Sequence, residues 1–265
     1  MEIKEYKQRI NISEDIFSNC NMYDIVYFDI ETTGFDREHD NIILISFGRF
    51  LSRDDFEMKQ YFSDVLEDER EVIYNFGLDV KKYSSWCSYN GIAFDEPFIK
   101  ERAHQNNMCF EAPEHHVDLY RLIRPYYKQL GMERCNLKTV EKHVGIDRKD
   151  KIDGGISVDL YKKFLESKNE NIKKTIMLHN YEDVLNLPKI HEFACKIKNN
   201  NLLVREDCIT EKQLKYLKIL LKKNNIQLDI QLEKVSKRAA SHVIDRLLKG
   251  ESNCDELVNI INNSY

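Results

Sequence analysis

Two carboxylates interrupt an apolar stretch near the start of this chain, and they limit what that stretch can fold into. The segment from Tyr27 to Gly34 reads Tyr-Phe-Asp-Ile-Glu-Thr-Thr-Gly, and apart from Asp29 and Glu31 it has the pattern of a buried strand. Side chains at positions i and i+2 of a strand lie on the same face, so the two carboxylates converge. Buried charges need a partner, and a divalent cation such as Mg²⁺ or Mn²⁺ is the simplest one.

The length and composition of the chain indicate its general class. A chain of 265 residues suits one large domain, or a domain of about 200 residues with a small appendage. No apolar run reaches the ~18 residues that a membrane helix needs, and the first residues lack an apolar signal core. We therefore expect a cytoplasmic protein with no membrane segment. Its seven cysteines form no Cys-x-x-Cys pair, so we expect reduced thiols rather than a zinc or redox site.

Charge is distributed unevenly along the chain. The net charge of −5 argues against a protein that coats nucleic acid through bulk electrostatics. Residues 201–250 nevertheless carry a net charge of +5. Part of this excess lies on a predicted amphipathic helix, at Lys212, Lys215, Lys218, Lys222 and Lys223. These lysines indicate either a solvated helix face or a surface that contacts nucleic acid.

The order of apolar segments predicts the fold class. Strands are predicted at 24–31, 41–50, 56–62, 83–89 and 115–119, and helices at 65–82, 95–106, 136–144, 157–166 and 170–197. This order predicts an α/β fold with a mixed five-stranded sheet, in which three antiparallel strands precede parallel ones and helices flank the sheet. A polar break follows at 199–201. We expect one domain over residues 1–198 and a small helical module over residues 202–265.

Two later motifs also place polar groups in apolar surroundings. Residues 89–95 read Tyr-Asn-Gly-Ile-Ala-Phe-Asp, the pattern of a strand that turns into a helix, with Asp95 in the first helical turn. Residues 179–183 read His-Asn-Tyr-Glu-Asp within an otherwise apolar helix. His179 and Asp183 are four residues apart and therefore share a helix face. Taken alone, each motif also fits an ordinary structural role, such as an acidic residue at a helix N-terminus.

In this order, the three motifs resemble those of the DEDD superfamily of 3′-to-5′ exonucleases, whose fold is ribonuclease H-like. The third motif and the loop that contains Arg148 most resemble the YprB-type branch of bacterial ribonuclease H-like proteins. The resemblance covers roughly residues 22–197 and implies phosphodiester hydrolysis with two Mg²⁺ or Mn²⁺ ions. The metal ligands that it implies are Asp29, Glu31, Asp95 and Asp183. His179 would orient or deprotonate the attacking water, although its spacing from Asp183 is that of the tyrosine branch.

The resemblance also implies how a substrate binds. Thr32, Thr33 and Gly34 would face the terminal nucleotide, Asn90 would hydrogen-bond the strand, and Arg148 would contact a phosphate. Phe94 either stacks on a base or belongs to the core. The function that we predict is removal of nucleoside monophosphates from a 3′ end, most simply a single-stranded one, of DNA or RNA. Two alternatives stay open: a nucleic-acid-binding protein with weak catalysis, and a structure-specific endonuclease on the same metal site.

Overall fold

A six-stranded mixed sheet forms the centre of the computed structural model, which describes residues 1–152 and 154–263. Its strands are β1 (Glu2–Arg9), β2 (Ile25–Thr32), β3 (Ile42–Phe50), β4 (Asp55–Phe62), β5 (Ser85–Ser88) and β6 (His115–Asp118). They lie in the order β1-β4-β3-β2-β5-β6. Strands β1 to β4 pair antiparallel, whereas β5 pairs parallel with both β2 and β6. The predicted class, a mixed α/β sheet flanked by helices, is confirmed.

Ten α-helices are found among the described residues. They are α1 (Glu14–Asn19), α2 (Glu69–Val80), α3 (Asp95–Gln105), α4 (Leu119–Ile123), α5 (Leu137–His143), α6 (Gly154–Ser167), α7 (Glu170–Lys198), α8 (Glu211–Lys223), α9 (Lys237–Leu248) and α10 (Cys254–Asn263). Within the part of the chain that the structure describes, no helix combines the length and the apolar character that crossing a bilayer requires.

The sheet has one strand more than the five that the sequence predicts. The additional strand, β1, reads Glu-Ile-Lys-Glu-Tyr-Lys-Gln-Arg and pairs with β4 at the edge of the sheet. None of its eight residues is buried, and its sequence lacks the alternation of apolar and polar residues that marks a half-buried strand. Charged residues on an edge strand also discourage pairing with another chain.

Strand β2 presents different chemistry to the two faces of the sheet. One face contributes to the core that the sheet shares with α2 and α3, through Val26, Phe28 and Ile30. The alternate residues face α7: Asp29 accepts a hydrogen bond of 2.6 Å from Asn180, and Glu31 lies 3.8 Å from the Nε2 atom of His179. The period of two in the strand therefore directs both carboxylates to the helix that carries the third motif.

The chain divides into two compact units. The first contains Met1–Leu119 and Asn136–Cys195, and the second contains Tyr120–Cys135 with the chain from Lys196 onward. An apolar cluster in the second unit joins α8, α9 and α10 through Leu217, Leu221, Val243, Leu247 and Leu257. The sequence does not indicate that residues 120–135 belong with these helices. The predicted division into residues 1–198 and 202–265 stays a prediction, and its last two residues lie outside the described ones.

Gly48 in β3 occupies a position where no side chain fits. A Cβ atom there would lie 2.3 Å from the ring of the fully buried Phe56. We expect Gly48→Ala to lower the free energy of unfolding by about 1–3 kcal/mol, because overpacking displaces core side chains. The matched control is Gly155→Ala in α6, whose Cβ would meet nothing within 4 Å. Urea denaturation compares the two, and equal midpoints would contradict the packing described.

Candidate active site

Four carboxylates from three separate segments converge beside β2. Asp29 and Glu31 lie on the strand itself, and Asp95 begins α3, where its Oδ1 atom accepts a hydrogen bond of 3.1 Å from the backbone N–H of Ile30. Asp183 lies on α7 and is buried. Asp29 interacts electrostatically with the other three carboxylates. We refer to Asp29, Glu31, Asp95 and Asp183 as the acidic cluster.

Three members of the acidic cluster, Asp29, Glu31 and Asp95, lie in surroundings that disfavour their charged forms. Burial raises the pKa of Asp29 well above its usual range, and the neighbouring carboxylates raise it further. Burial, followed by the charge of Asp183, also raises the pKa of Glu31 well above its usual range. For Asp95, burial is the main cause that raises the pKa to about 7. A bound cation stabilises the ionised form of carboxyl groups whose pKa values are raised in this way.

The two ring nitrogens of His179 have different surroundings. Nδ1 lies 2.6 Å from the Oδ2 atom of Asp150. Nε2 lies 3.8 Å from Glu31 and 3.5 Å from the Oδ2 atom of Asp183. A carboxylate next to Nδ1 favours the tautomer that carries its proton there, which leaves the lone pair of Nε2 facing the acidic cluster. Glu31, His179 and Asp183 offer one donor atom each within 4.8 Å of one another.

Arg148 is buried among carboxylates, with a side chain only 7% exposed. Its Nη1 atom donates to the Oδ1 atom of Asp183 and lies 3.0 Å from Glu141. Its Nη2 atom lies 3.3 Å from Asp150 and donates to the backbone carbonyl of His179 at 3.0 Å. The guanidinium holds its own loop against α7, and it occupies one oxygen of Asp183. The predicted contact between Arg148 and a phosphate stays a prediction.

The residues that follow the two carboxylates of β2 form a hydrogen-bonded turn. Thr32 donates through Oγ1 to the carbonyl of Gly34 at 2.5 Å, and Thr33 donates through Oγ1 to Asp40 at 3.1 Å. A Cβ atom on Gly34 would lie 2.3 Å from the carboxylate of Asp40, so a larger residue would disturb the turn. The contacts predicted between these three residues and a nucleotide stay predictions.

The turn before Asp95 contains Asn90. This residue has a φ of +69°, a left-handed conformation that asparagine tolerates better than most residues. Its backbone N–H donates to the Oδ1 atom of Asp118 at 2.9 Å. Asp118 therefore fixes the turn that leads into α3. The predicted hydrogen bond from Asn90 to a nucleic-acid strand stays a prediction.

Phe94 lies between the core and an exposed ring. Its ring centroid is 5.3 Å from that of Phe98 and 6.0 Å from that of Phe35, whose residue is 82% exposed. Phe35 and Phe94 line an open cavity of about 470 Å³, together with Asp36 and Pro97. Sequence reasoning missed Phe35, although an aromatic residue in the polar stretch after Gly34 is a signal that could have identified it.

Three further residues at the site were not identified from the sequence. Asp150 is the partner of His179, Asn180 donates to Asp29, and Glu141 accepts from Arg148. Asn180 lies inside the third motif, so its position was a signal. No sequence signal identifies Asp150 or Glu141, because their roles depend on which side chains the fold brings to them.

The donor set of the acidic cluster suits hard divalent cations. Mg²⁺ and Mn²⁺ prefer carboxylate oxygens, and the cluster offers four such groups. Over residues 1–152 and 154–263, no lysine or arginine forms an ion pair with Asp29, Glu31 or Asp95. The Oδ1 atom of Asn180, whose Nδ2 donates to Asp29, is buried without a hydrogen-bond partner among the described residues. These residues therefore fit divalent cations.

A mixed sheet with helices on both faces and an acidic cluster beside its strand β2 defines a ribonuclease H-like domain. The model of the family RNase_H_2, which is part of the RNase H superfamily, matches residues 26–195. The chain therefore belongs to this superfamily. The superfamily suggests nucleic-acid hydrolysis, and its nucleases generally use divalent metals.

The chain is also 30% identical over 174 residues to the uncharacterized protein YprB of Bacillus subtilis (strain 168). That match covers 64% of this chain and 42% of YprB, so the chain spans less than half of its relative.

Similarity to a solved structure supports the fold. The family B DNA polymerase from the hyperthermophilic archaeon Pyrobaculum calidifontis aligns with a TM-score of 0.50 and 17% sequence identity. The alignment covers 84% of this chain and 26% of the polymerase chain. At this level of identity the likeness concerns the fold alone.

Proposed function

We propose that the chain is a cytoplasmic, metal-dependent 3′-to-5′ exonuclease that hydrolyses DNA or RNA and releases nucleoside monophosphates. The observation that carries this proposal is the convergence of Asp29, Glu31, Asp95 and Asp183 in one cluster, in which burial raises the pKa values of Asp29, Glu31 and Asp95. The proposed substrate is a single-stranded 3′ end. We assign the chemistry to residues 1–198 and an accessory role to residues 202–265.

The acidic cluster, His179, Asp150 and Arg148 each have a part in this proposal. The acidic cluster would hold two divalent ions, which when bound promote ionisation of water and stabilise charge on the phosphate. His179 accepts a proton at Nε2, and Asp150 keeps the proton of the other ring nitrogen in place. Arg148 positions Asp183 and the loop that carries Asp150 relative to α7.

Product analysis with defined substrates tests the proposal. Single-stranded DNA and RNA carrying a 3′ label are incubated with the full chain and Mn²⁺, and a circular single strand serves as the matched substrate without ends. An exonuclease of the proposed polarity releases labelled mononucleotides and leaves the circle intact. Labelled oligonucleotides or cleavage of the circle would favour the endonuclease. Binding without any metal-dependent product would favour the nucleic-acid-binding protein.

His179 is expected to contribute strongly to the rate. We expect His179→Ala to lower kcat by about 10²- to 10⁴-fold, the usual contribution of a general base. The matched control is Tyr181→Phe on the same helix, since Tyr181 packs against Tyr6 with ring centroids 4.7 Å apart and not against the acidic cluster. Steady-state kinetics compare the variants. Loss of activity in Tyr181→Phe with little change in His179→Ala would transfer the role to the tyrosine.

Phe35 is expected to bind a base of the substrate. Stacking on an aromatic ring contributes about 1–3 kcal/mol per base, so we expect Phe35→Ala to weaken affinity for a single strand roughly 5- to 150-fold. The fold should tolerate the change because the residue is largely exposed. The control is Tyr74→Ala, an exposed aromatic residue on α2 outside the cavity of Phe35 and Phe94. Fluorescence anisotropy in the presence of Ca²⁺ measures binding of a single strand. Equal affinities of the parent and Phe35→Ala would exclude the stacking role.

A further inference from the structure

A second group of metal-binding side chains lies in the first compact unit, apart from the acidic cluster. Cys20 directly follows α1, and His191 and Cys195 lie on α7. One donor atom from each lies within 4.8 Å of the other two. His191 is eight residues beyond Asp183, which corresponds to about 12 Å along the helix. We refer to Cys20, His191 and Cys195 as the thiol cluster.

The thiol cluster has the local arrangement of a ligand set. His191 and Cys195 are four residues apart, so they share one face of α7. The hydroxyl of Tyr27 lies 3.1 Å from the Nδ1 atom of His191 and is fully enclosed. A hydrogen bond at one ring nitrogen is the usual outer support of a metal-binding histidine, because it fixes the tautomer and the ring orientation. His191 itself is only 4% exposed, whereas both thiols are partly accessible.

We propose that Cys20, His191 and Cys195 bind a thiophilic divalent cation of the Zn²⁺ type. Two sulfur ligands and one imidazole are typical of zinc, and a fourth position would be taken by water. Thiolates bound to zinc with bonds of about 2.3 Å lie roughly 3.7 Å apart, so the two Sγ atoms, now 2.9 Å apart, would separate slightly. The absence of carboxylates from the set distinguishes this site from the acidic cluster, which suits Mg²⁺ or Mn²⁺.

Metal binding would fasten the segment that contains α1 to the C-terminal half of α7. The same two segments already share polar contacts. The backbone N–H of Ser13 donates to Glu192 at 3.2 Å, and Lys189 donates to the backbone carbonyl of Asn11. The ion would therefore stabilise an arrangement that the fold has formed, and α7 is the helix that also carries His179 and Asp183.

Cobalt(II) is the probe that separates the two clusters. The full chain is reduced, freed of metal and titrated with Co²⁺ without oxygen. We expect a thiolate-to-cobalt charge-transfer band that saturates at one Co²⁺ per chain, a signal that carboxylates cannot produce. Zn²⁺ should remove the band and excess Mg²⁺ should not. Cys195→Ser should abolish it, whereas Cys109→Ser, which removes an exposed thiol outside the cluster, should retain it.

A conservative variant guards against effects of misfolding. Tyr27→Phe keeps all three ligands and loses only the outer hydrogen bond, so we expect the band to persist with affinity for Co²⁺ weakened about 10- to 100-fold. Circular dichroism checks the fold of each variant. The proposal is overturned by a reduced chain that gives no band, or by a band that survives Cys195→Ser. A Cys20–Cys195 disulfide, found by peptide mapping in protein that binds no Co²⁺ after reduction, overturns it as well. None of these outcomes depends on nuclease activity.

Discussion

Replacement of Asp29 by asparagine is expected to abolish hydrolysis and, at the same time, to stabilise the metal-free protein. Loss of one charged ligand from a catalytic metal site should lower the rate at least about 10³-fold, equivalent to ~4 kcal/mol of transition-state stabilisation. The same change removes a partly buried carboxyl group whose pKa is raised by burial and by three neighbouring carboxylates. Its hydrogen bond from Asn180 can persist, because the asparagine carbonyl also accepts. Differential scanning fluorimetry with a chelator measures the second effect.

Asp183→Asn provides the matched comparison. Activity should fall to a similar extent, but Asp183 accepts a hydrogen bond from the buried guanidinium of Arg148, and asparagine offers that cation no charge. In chelator, the melting temperature of Asp29→Asn should therefore lie above those of the parent and of Asp183→Asn. At saturating Mn²⁺, the melting temperature of the parent should lie above that of Asp29→Asn, because a ligand that binds only the folded state stabilises that state. An Asp29→Asn protein that stays active, or that melts below Asp183→Asn in chelator, would contradict the assignment of ligands.

Local sequence pattern predicted most of the fold because most elements bury a periodic apolar face. Strands β2 to β6 and the long helix α7 follow the predicted segments within a few residues. Strand β1 escaped prediction because it lies at an edge and satisfies its backbone by pairing with β4 rather than by burying side chains. The inclusion of residues 120–135 in the second unit also has no local signal, since it depends on contacts with distant helices.

The acidic cluster was predictable for a different reason. Asp29 and Glu31 contrast with their apolar neighbours, and the i, i+4 spacing of His179 and Asp183 is visible in the chain itself. The partners of Arg148 could not be predicted from the sequence. Glu141 and Asp150 lie in polar stretches, where a carboxylate does not stand out from its neighbours. The thiol cluster is a stronger example. Cys20 and Cys195 are 175 positions apart, and only the folded chain brings their sulfur atoms within 2.9 Å.

Removal of the Arg148 side chain is expected to cause the largest loss of stability among these variants. The guanidinium is 7% exposed and contacts Glu141, Asp150 and Asp183, which are themselves buried. Breaking a buried ion pair by removing one partner typically costs about 3–5 kcal/mol, because the remaining charge stays buried without compensation. Burial already raises the pKa of Glu141 although Arg148 opposes this effect. Without the arginine, this carboxyl would take up a proton or draw in water.

Two further variants make the expectation for Arg148→Ala specific. Arg148→Lys retains a positive charge but lacks the planar fork that reaches several carboxylates, so its stability should be intermediate. Arg246→Ala removes an exposed arginine paired with Glu251 and should change stability little, as surface ion pairs usually do. Trp86, the only tryptophan, is fully buried in β5, so its fluorescence reports urea unfolding of the unit that contains Arg148. If Arg148→Ala unfolds at the urea concentration of the parent, the guanidinium does not hold this loop to α7.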